Sequence, residues 1–173
     1  KYPVDLTVNG RACHVEVEAR ALLIDILREQ LGLTGVHTGC ENATCGACTV
    51  LCDGKTLKAC TRLAVQADGA AIVTLEGLSG VGAPTPDALR ELHPLQEACA
   101  ASRVLPCGFC AAGRLLVAWE ALQREPEADE AALRRALSGA HCPCADSERL
   151  VAAGAGLQLL LLHGSAPGRD TAQ

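Results

Sequence analysis

The chain has 173 residues, of which 49% are hydrophobic and only 2% aromatic, and its formal net charge is −5. This length allows one large domain or two small ones, with a core built from Leu, Val, Ile and Ala. The acidic balance and the lack of a basic run argue against a nucleic-acid surface, because phosphate binding needs clustered Lys and Arg. We find no apolar run long enough for a membrane span and no signal peptide ahead of the first strand pattern, so we expect a cytoplasmic protein.

The N-terminal stretch predicts a β-hairpin followed by a helix. Residues 4–8 alternate apolar and polar side chains, and Asn9-Gly10 supplies a tight turn into a return strand. Cys13 lies on the apolar face of that strand without a partner at ligand spacing, so we interpret it as a small packing residue. Apolar residues recur with a helical period over 22–31, and Gly32 follows as a C-terminal cap.

A cysteine-rich loop comes next. Three cysteines have the spacing C-x4-C-x2-C, and a fourth follows after eleven intervening residues: Cys40, Cys45, Cys48 and Cys60. This pattern is typical of a plant-type [2Fe–2S] cluster, with three thiolates on one tight loop and one from a neighbouring element. Glycines in the loop allow backbone N–H groups to approach the sulfur atoms. A zinc knuckle would instead need two short-spaced pairs.

More strands are predicted behind this loop. Residues 49–52 followed by Asp53-Gly54 predict a second hairpin, and 71–75 predict a last strand. Cys52 has no partner at ligand spacing, and we interpret it as a packing residue. Two hairpins, one helix and a further strand predict a small β-grasp, ferredoxin-like domain over residues 1–76.

The second half of the chain predicts helices. Residues 77–86 are rich in Gly and Pro and indicate a linker, after which the hydrophobic period changes from 2 to 3.6. Cys99 falls in the first predicted helix as a core residue. The fold class is therefore predicted as α+β, with a four-helix bundle domain over 87–164 and a tail over 165–173. The four helices are predicted at about 93–101, 113–123, 128–137 and 147–162.

A second group of cysteines lies in the helical half. Cys107 and Cys110 have the spacing C-x2-C, and Cys142 and Cys144 follow as C-x-C after thirty-one intervening residues. Taken alone, the C-x2-C pair fits zinc, a redox-active dithiol or chance. Structural zinc normally uses C-x2–4-C pairs on both sides, and a thioredoxin-type motif needs a βαβ unit that is not predicted here.

The full set of eleven cysteines favours metal ligation over disulfide bonds. Disulfide scaffolds are typically short secreted chains with an even number of cysteines. In this chain the number is odd, the cysteines form close-spaced groups and no export signal is seen. We therefore expect a reducing compartment in which the grouped thiols bind metal.

Together the two cysteine sets resemble those of the small iron–sulfur subunit of the molybdenum hydroxylases, the xanthine oxidase family that includes the aerobic carbon monoxide dehydrogenases. The resemblance covers about residues 4 to 160, and the family fold, a β-grasp ferredoxin domain and a four-helix domain, agrees with the predicted elements. One departure is Pro106, which stands where the family has a Gln that helps to hold the pterin of the molybdenum cofactor. The strongest motifs are Gly39-Cys40, Cys45-Gly46-Ala47-Cys48-Thr49-Val50, Cys60, His93-Pro94-Leu95-Gln96, Cys107-Gly108-Phe109-Cys110 and the pair Cys142 and Cys144.

The resemblance implies an electron-transfer subunit that binds two [2Fe–2S] clusters and has no substrate site of its own. It implies a large partner subunit with a molybdopterin cofactor and a medium partner subunit with FAD. Electrons would pass from molybdenum to the cluster of the helical domain, then to the cluster of the β-grasp domain, and on to the flavin. The implied ligands are Cys40, Cys45, Cys48 and Cys60 for the first cluster and Cys107, Cys110, Cys142 and Cys144 for the second.

Two other functions fit parts of the pattern. A free-standing ferredoxin-type carrier or iron–sulfur regulator would not need the helical domain, and a zinc-stabilised interaction module is disfavoured by the C-x-C pair. The five histidines are scattered without ligand spacing and are interpreted as surface or packing residues. His37 and His141 lie near predicted ligands, where a hydrogen bond could tune a cluster.

Overall fold

The computed structural model describes residues 1–80, 92–103, 107–141 and 150–151. Its N-terminal half is a five-stranded mixed sheet with the strand order β2-β1-β5-β3-β4. The pair β1 and β5 is parallel, and the other neighbouring pairs are antiparallel. The strands are β1 (Tyr2–Val8), β2 (Arg11–Val17), β3 (Thr49–Cys52), β4 (Lys55–Lys58) and β5 (Ala71–Val73).

Both predicted hairpin turns are present, and each forms a hydrogen bond at one end of β5, the strand that lies between the two hairpins. Asn9 and Gly10 have φ values of 51° and 77°, and the second turn, Asp53-Gly54, has 51° and 79°. Two successive positive φ values match the twist of the paired strands. The Asn9 side chain accepts a hydrogen bond from the N–H of Thr74, and Asp53 accepts one from the N–H of Ala71, both at 2.9 Å. The two turns thus hold β5 at its two ends.

The predicted helix over 22–31 packs across the sheet. It begins as α1 (Leu23–Asp25) and continues as a π-helical turn, Ile26–Gln30. Four of its side chains are no more than 2% exposed and join the valines and leucines of β1 and β2 in one core: Leu23, Ile24, Ile26 and Leu27. Gly32, with φ of 69°, follows the helix as predicted.

The segment after β5 is more ordered than its Gly and Pro content predicts. The last strand ends at Val73 rather than at 75, because a 3₁₀ helix, Leu75–Gly80, begins there. Leu78 in this helix is fully buried. Residues 81–86 of the predicted linker lie outside the described residues.

The C-terminal half is helical where it is described, with α2 (Pro94–Ser102), α3 (Ala111–Arg124) and α4 (Glu130–Leu137). Capping side chains at the N-terminus explain where two of these helices, α2 and α4, begin. The His93 ring accepts a hydrogen bond from the N–H of Leu95, and Asp129 accepts one from Ala132 at 2.7 Å. The predicted helix over 147–162 and the tail over 165–173 lie outside the described residues, apart from 150 and 151, which are helical and buried.

The two halves share a buried apolar contact, and the fold class is α+β. Leu51 of β3, Leu78 and Leu116 of α3 are each no more than 1% exposed and pack together. Trp119 of α3 covers this group from one side. Within the described ranges, none of the helices combines the length and apolar character needed to cross a bilayer.

We expect Leu116→Ala to cost about 2–5 kcal/mol of unfolding free energy, because truncation leaves a cavity in this shared core. For a chain of this size the cost lowers the melting temperature by roughly 4–20 °C, which thermal melts followed by circular dichroism will measure. Gln123→Ala, on the exposed face of α3, is the matched control and should change stability by no more than about 0.5 kcal/mol. Coincident melts of the wild type and Leu116→Ala would contradict a shared core.

Candidate iron–sulfur sites

The β3–β4 hairpin explains how Cys60 returns to the loop that carries the other three cysteines of the first set. Cys48 directly precedes β3, and Cys60 lies in a 3₁₀ turn, Ala59–Thr61, directly after β4. Because Thr49 and Lys58 are paired across the hairpin, the residues just beyond them are neighbours. The N–H of Ala59 donates to the carbonyl oxygen of Cys48 at 3.2 Å. An eleven-residue spacing is therefore the length of one short hairpin.

The thiols of the first set lie in two pairs. The N–H of Cys45 donates to Cys40 Sγ at 3.2 Å, and both the backbone N–H and the thiol of Cys60 reach the sulfur of Cys48. In the described part of the chain, no three His, Cys, Asp or Glu side chains group closely enough to hold one metal ion. A [2Fe–2S] cluster needs two ligands on each of two irons. The arrangement of the first set in two thiol pairs, Cys40 with Cys45 and Cys48 with Cys60, fits that requirement.

The first loop bends its backbone around the sulfur atoms. Glu41, Ala43 and Gly46 have φ values of 56°, 67° and 74°, a conformation that residues other than Gly seldom adopt. The bend aims N–H groups inward, and Ala47 donates to Cys45 Sγ at 3.5 Å. Such N–H···S contacts stabilise negative charge on sulfur and tune a cluster's reduction potential.

The thiol environments differ within the first set. The backbone N–H groups of Cys45 and Asn42 lower the pKa of Cys40 to about 7. Burial raises the pKa of Cys48 to about 11, and it also raises the pKa of Cys45. Since the thiolate is the ligand, Cys40 ionises most readily of these three, whereas Cys48 needs the positive charge of a metal to ionise near neutral pH.

The structure describes two of the four cysteines of the second set. Cys107 is exposed, and Cys110 is 6% exposed and forms the N-cap of α3. Cys142 and Cys144 lie outside the described residues, as does Pro106. The residues just before Cys142 are described, and Arg114 of α3 donates to the carbonyl oxygen of Ala140 at 3.4 Å.

The flanks of the second set pack directly on the first loop. A Cβ at Gly113 would collide with the carbonyl oxygen of Gly46, and a Cβ at Gly46 would lie 2.7 Å from Cβ of Ala140. The N–H of His141 donates to the carbonyl oxygen of Thr44 at 3.4 Å. The described residues that flank the second set therefore adjoin the first loop. Sequence reasoning missed this contact, although a glycine near the start of a helix is a signal of close backbone approach.

A lysine side chain also connects the first cysteine set with the segment just before Cys142. Lys58, two residues before Cys60, donates from Nζ to the carbonyl oxygen of Gly139 and to Thr49 Oγ1, both at 3.0 Å. Gly139 lies three residues before Cys142. Sequence reasoning did not single out Lys58, because an isolated lysine in a short strand gives no signal.

The cysteines outside the two sets lie in apolar surroundings, as predicted. Cys13 and Cys52 are partly buried against the core of the sheet half. Cys99 is 6% exposed in the helical core, and burial raises its pKa to about 11. We assign these three thiols to packing.

Two family models match this chain. Residues 6–71 match the 2Fe-2S iron-sulfur cluster binding domain, and residues 74–155 match the [2Fe-2S] binding domain. The nicotine 6-hydroxylase small subunit of Paenarthrobacter nicotinovorans is 44% identical over 150 residues, which covers 87% of this chain and 86% of that protein.

Solved structures share the fold. The quinoline 2-oxidoreductase of Pseudomonas putida 86 aligns with a TM-score of 0.83 at 35% identity, over 95% of this chain and 98% of the matched chain. The aldehyde oxidoreductase of Desulfovibrio desulfuricans ATCC 27774 aligns with a TM-score of 0.86 at 34% identity. That alignment covers 96% of this chain but only 18% of the other.

We expect Gly113→Ala to separate α3 from the first loop. The added methyl group meets a backbone oxygen that cannot rotate away, and overpacking of this kind costs about 1–3 kcal/mol. Purified Gly113→Ala should melt at a lower temperature and retain less iron than the wild type.

The matched control is Gly139→Ala. Its Cβ would meet nothing nearer than the carbonyl oxygen of Ala136 at 4.0 Å, so it should keep wild-type iron and stability. Equal iron content and equal melting temperature in both variants would mean that the close approach at Gly113 has no consequence.

Proposed function

We propose that this chain, which belongs to the family of small [2Fe–2S] iron–sulfur subunits of the molybdenum hydroxylases, passes electrons between two clusters of its own. It does so as one subunit of a multisubunit molybdenum-dependent oxidoreductase. The observation that carries the proposal is the direct packing of the residues that flank the second cysteine set on the loop of the first. Adjoining sites suit transfer from one cluster to the other. Each cluster, when bound, accepts and releases one electron.

The proposed ligands follow the thiol pairs. At the first site, Cys40 and Cys45 would hold one iron, and Cys48 and Cys60 the other, as supported by their contacts. At the second site, the sequence pattern supports Cys107, Cys110, Cys142 and Cys144 as the ligands.

We assign each site to one proposed domain. The first belongs to a β-grasp ferredoxin domain over 1–76, and the second follows a linker over 77–86 and belongs to a four-helix bundle over 87–164. Residues 165–173 would form a tail. The sheet in the first half and the helices of the second support this division.

The protein's own residues set the environment of each site. Cys48 and Cys60, at 1% and 5% exposure, exclude water from one side of the first site, while Cys40 and Cys45 are partly exposed. At the second site Cys107 is exposed and Cys110 is buried. The first site, and the described pair of the second, thus combine protected thiols with thiols that are accessible to a partner. Such differences in exposure and N–H···S bonding give two clusters different potentials.

The partners are proposed from the relatives. Their names refer to nicotine, quinoline and aldehyde, yet each of them aligns with most of this chain. A substrate site outside this chain, in a large molybdopterin-binding subunit, accounts for that variety. A medium FAD-binding subunit would receive the electrons from the first cluster. We place the complex in the cytoplasm, where thiols stay reduced.

Metal analysis tests the two-cluster proposal. The purified chain should contain about four irons and four acid-labile sulfides, because each of two sites holds two of each. Cys48→Ser should alter one paramagnetic signal of the reduced protein and leave the other, since the ligand sets are separate. Cys52→Ser, in the same hairpin, is the control that should leave both signals intact. Zinc, or only two irons, would contradict the proposal.

Isolation of the native complex tests the partner proposal. We expect the chain to co-purify with a molybdenum-containing subunit, because it lacks a substrate site of its own. Mass spectrometry will identify the associated chains, and elemental and cofactor analysis will detect molybdenum, pterin and FAD. A native chain that carries both clusters but is isolated without a partner would instead indicate a free-standing electron carrier.

A further inference from the structure

His37 connects the loop of the first cysteine set with the loop of the second. Its backbone N–H donates to the carbonyl oxygen of Ala47 at 3.2 Å, which anchors it beside Cys48. Its ring reaches the other loop, where Nδ1 lies 2.8 Å from the carbonyl oxygen of Phe109. Since a carbonyl oxygen only accepts hydrogen bonds, Nδ1 carries the hydrogen.

The ring of Phe109 lies against the same region. It stacks on the imidazole of His37 with ring centroids 4.8 Å apart and an interplanar angle of 20°. It also covers Gly39, where an added Cβ would come within 3.1 Å of Phe109 Cε1 and 2.9 Å of Cys45 Sγ. The ring of Phe109, which belongs to the turn between Cys107 and Cys110, thus lies near Cys45, a proposed ligand of the first cluster.

Burial alone does not account for this arrangement. Phe109 is still 45% exposed, so a large part of its surface stays in contact with water. The hydrogen bond, by contrast, acts on the main chain of a turn between two proposed ligands. Fixing the carbonyl group of Phe109 fixes the height of the whole turn above the first loop.

We propose that His37 is a positioning residue that holds the Cys107–Cys110 turn against the first ligand loop and so sets the separation of the two clusters. The hydrogen bond from Nδ1 of His37 to the carbonyl oxygen of Phe109 holds the turn in place, and the stacked ring of Phe109 is an additional contact. The inference rests on the proposed two-cluster function. It matters for that function because electron transfer slows steeply as the distance between the two centres grows.

The test compares two variants of the full chain, loaded with both clusters. His37→Phe keeps an aromatic ring and removes the donor. His37→Asn removes the ring but keeps an amide donor at the same number of bonds from Cα as Nδ1. In the fully reduced protein, the magnetic interaction between the clusters splits their low-temperature paramagnetic signals and falls with the cube of their separation. We expect this splitting to narrow or vanish in His37→Phe and to remain in His37→Asn.

A matched control is His14→Phe. The His14 ring also bonds through Nδ1, to Asp5 at 2.7 Å, but it lies on β2 at the edge of the sheet away from β3 and β4. This variant should keep the wild-type splitting. Iron and sulfide content, measured on every sample, separates a shift of the turn from loss of a cluster.

Two results would overturn the inference. One is wild-type splitting in a His37→Phe protein that holds both clusters, because the turn would then keep its place without the hydrogen bond from His37. The other is equal loss of the splitting in His37→Asn and His37→Phe, because a hydrogen-bond donor at this position would then not be what holds the turn. A wild-type chain with a single cluster would refute the proposed function itself, and the iron content reveals that case before any variant is compared.

Discussion

The close approach of α3 to the first ligand loop is the contact on which the rest of the arrangement depends. Gly46 and Gly113 let two backbones meet where any side chain would collide. Cys110 forms the N-cap of α3, so this contact also places the start of the second cysteine set. A buried group formed by Leu51, Leu78 and Leu116 holds the same helix against β3. Apolar packing thus holds α3 against β3, and the two glycines allow the backbone of α3 to approach the first loop closely.

Polar contacts then hold the described segments of the second set against the first loop. His37 binds the turn that contains Cys107 and Cys110, and Lys58 binds the main chain three residues before Cys142. Both bonds end on backbone carbonyl oxygens. A bond to the backbone constrains a whole turn rather than one rotamer. Two such bonds, one on each side, suit a protein whose function depends on the distance between two centres.

Within the proposed first site, Cys40 and Cys48 lie in contrasting environments. N–H groups of the bent loop favour the thiolate of Cys40, while burial disfavours the thiolate of Cys48. An iron–sulfur centre compensates the second effect through its own positive charge. The buried side then shields the site from water, and the partly exposed side remains open toward a partner. This division follows from the topology, because Cys48 and Cys60 lie at the base of the β3–β4 hairpin, whereas Cys40 and Cys45 lie on the loop that precedes it.

The sequence by itself determined the features that depend on local chemistry. Asn9-Gly10 and Asp53-Gly54 specify their turns, Asp129 and Pro94 mark helix starts, and the cysteine spacings predict two ligand sets. It did not determine that Leu78, in a Gly- and Pro-rich stretch, is buried under α3. Nor did it reveal the contacts of His37 with Phe109 and of Lys58 with Gly139, whose partners are 72 and 81 residues apart. Only the tertiary structure decided these contacts, because no local pattern encodes which distant carbonyl oxygen a side chain will meet.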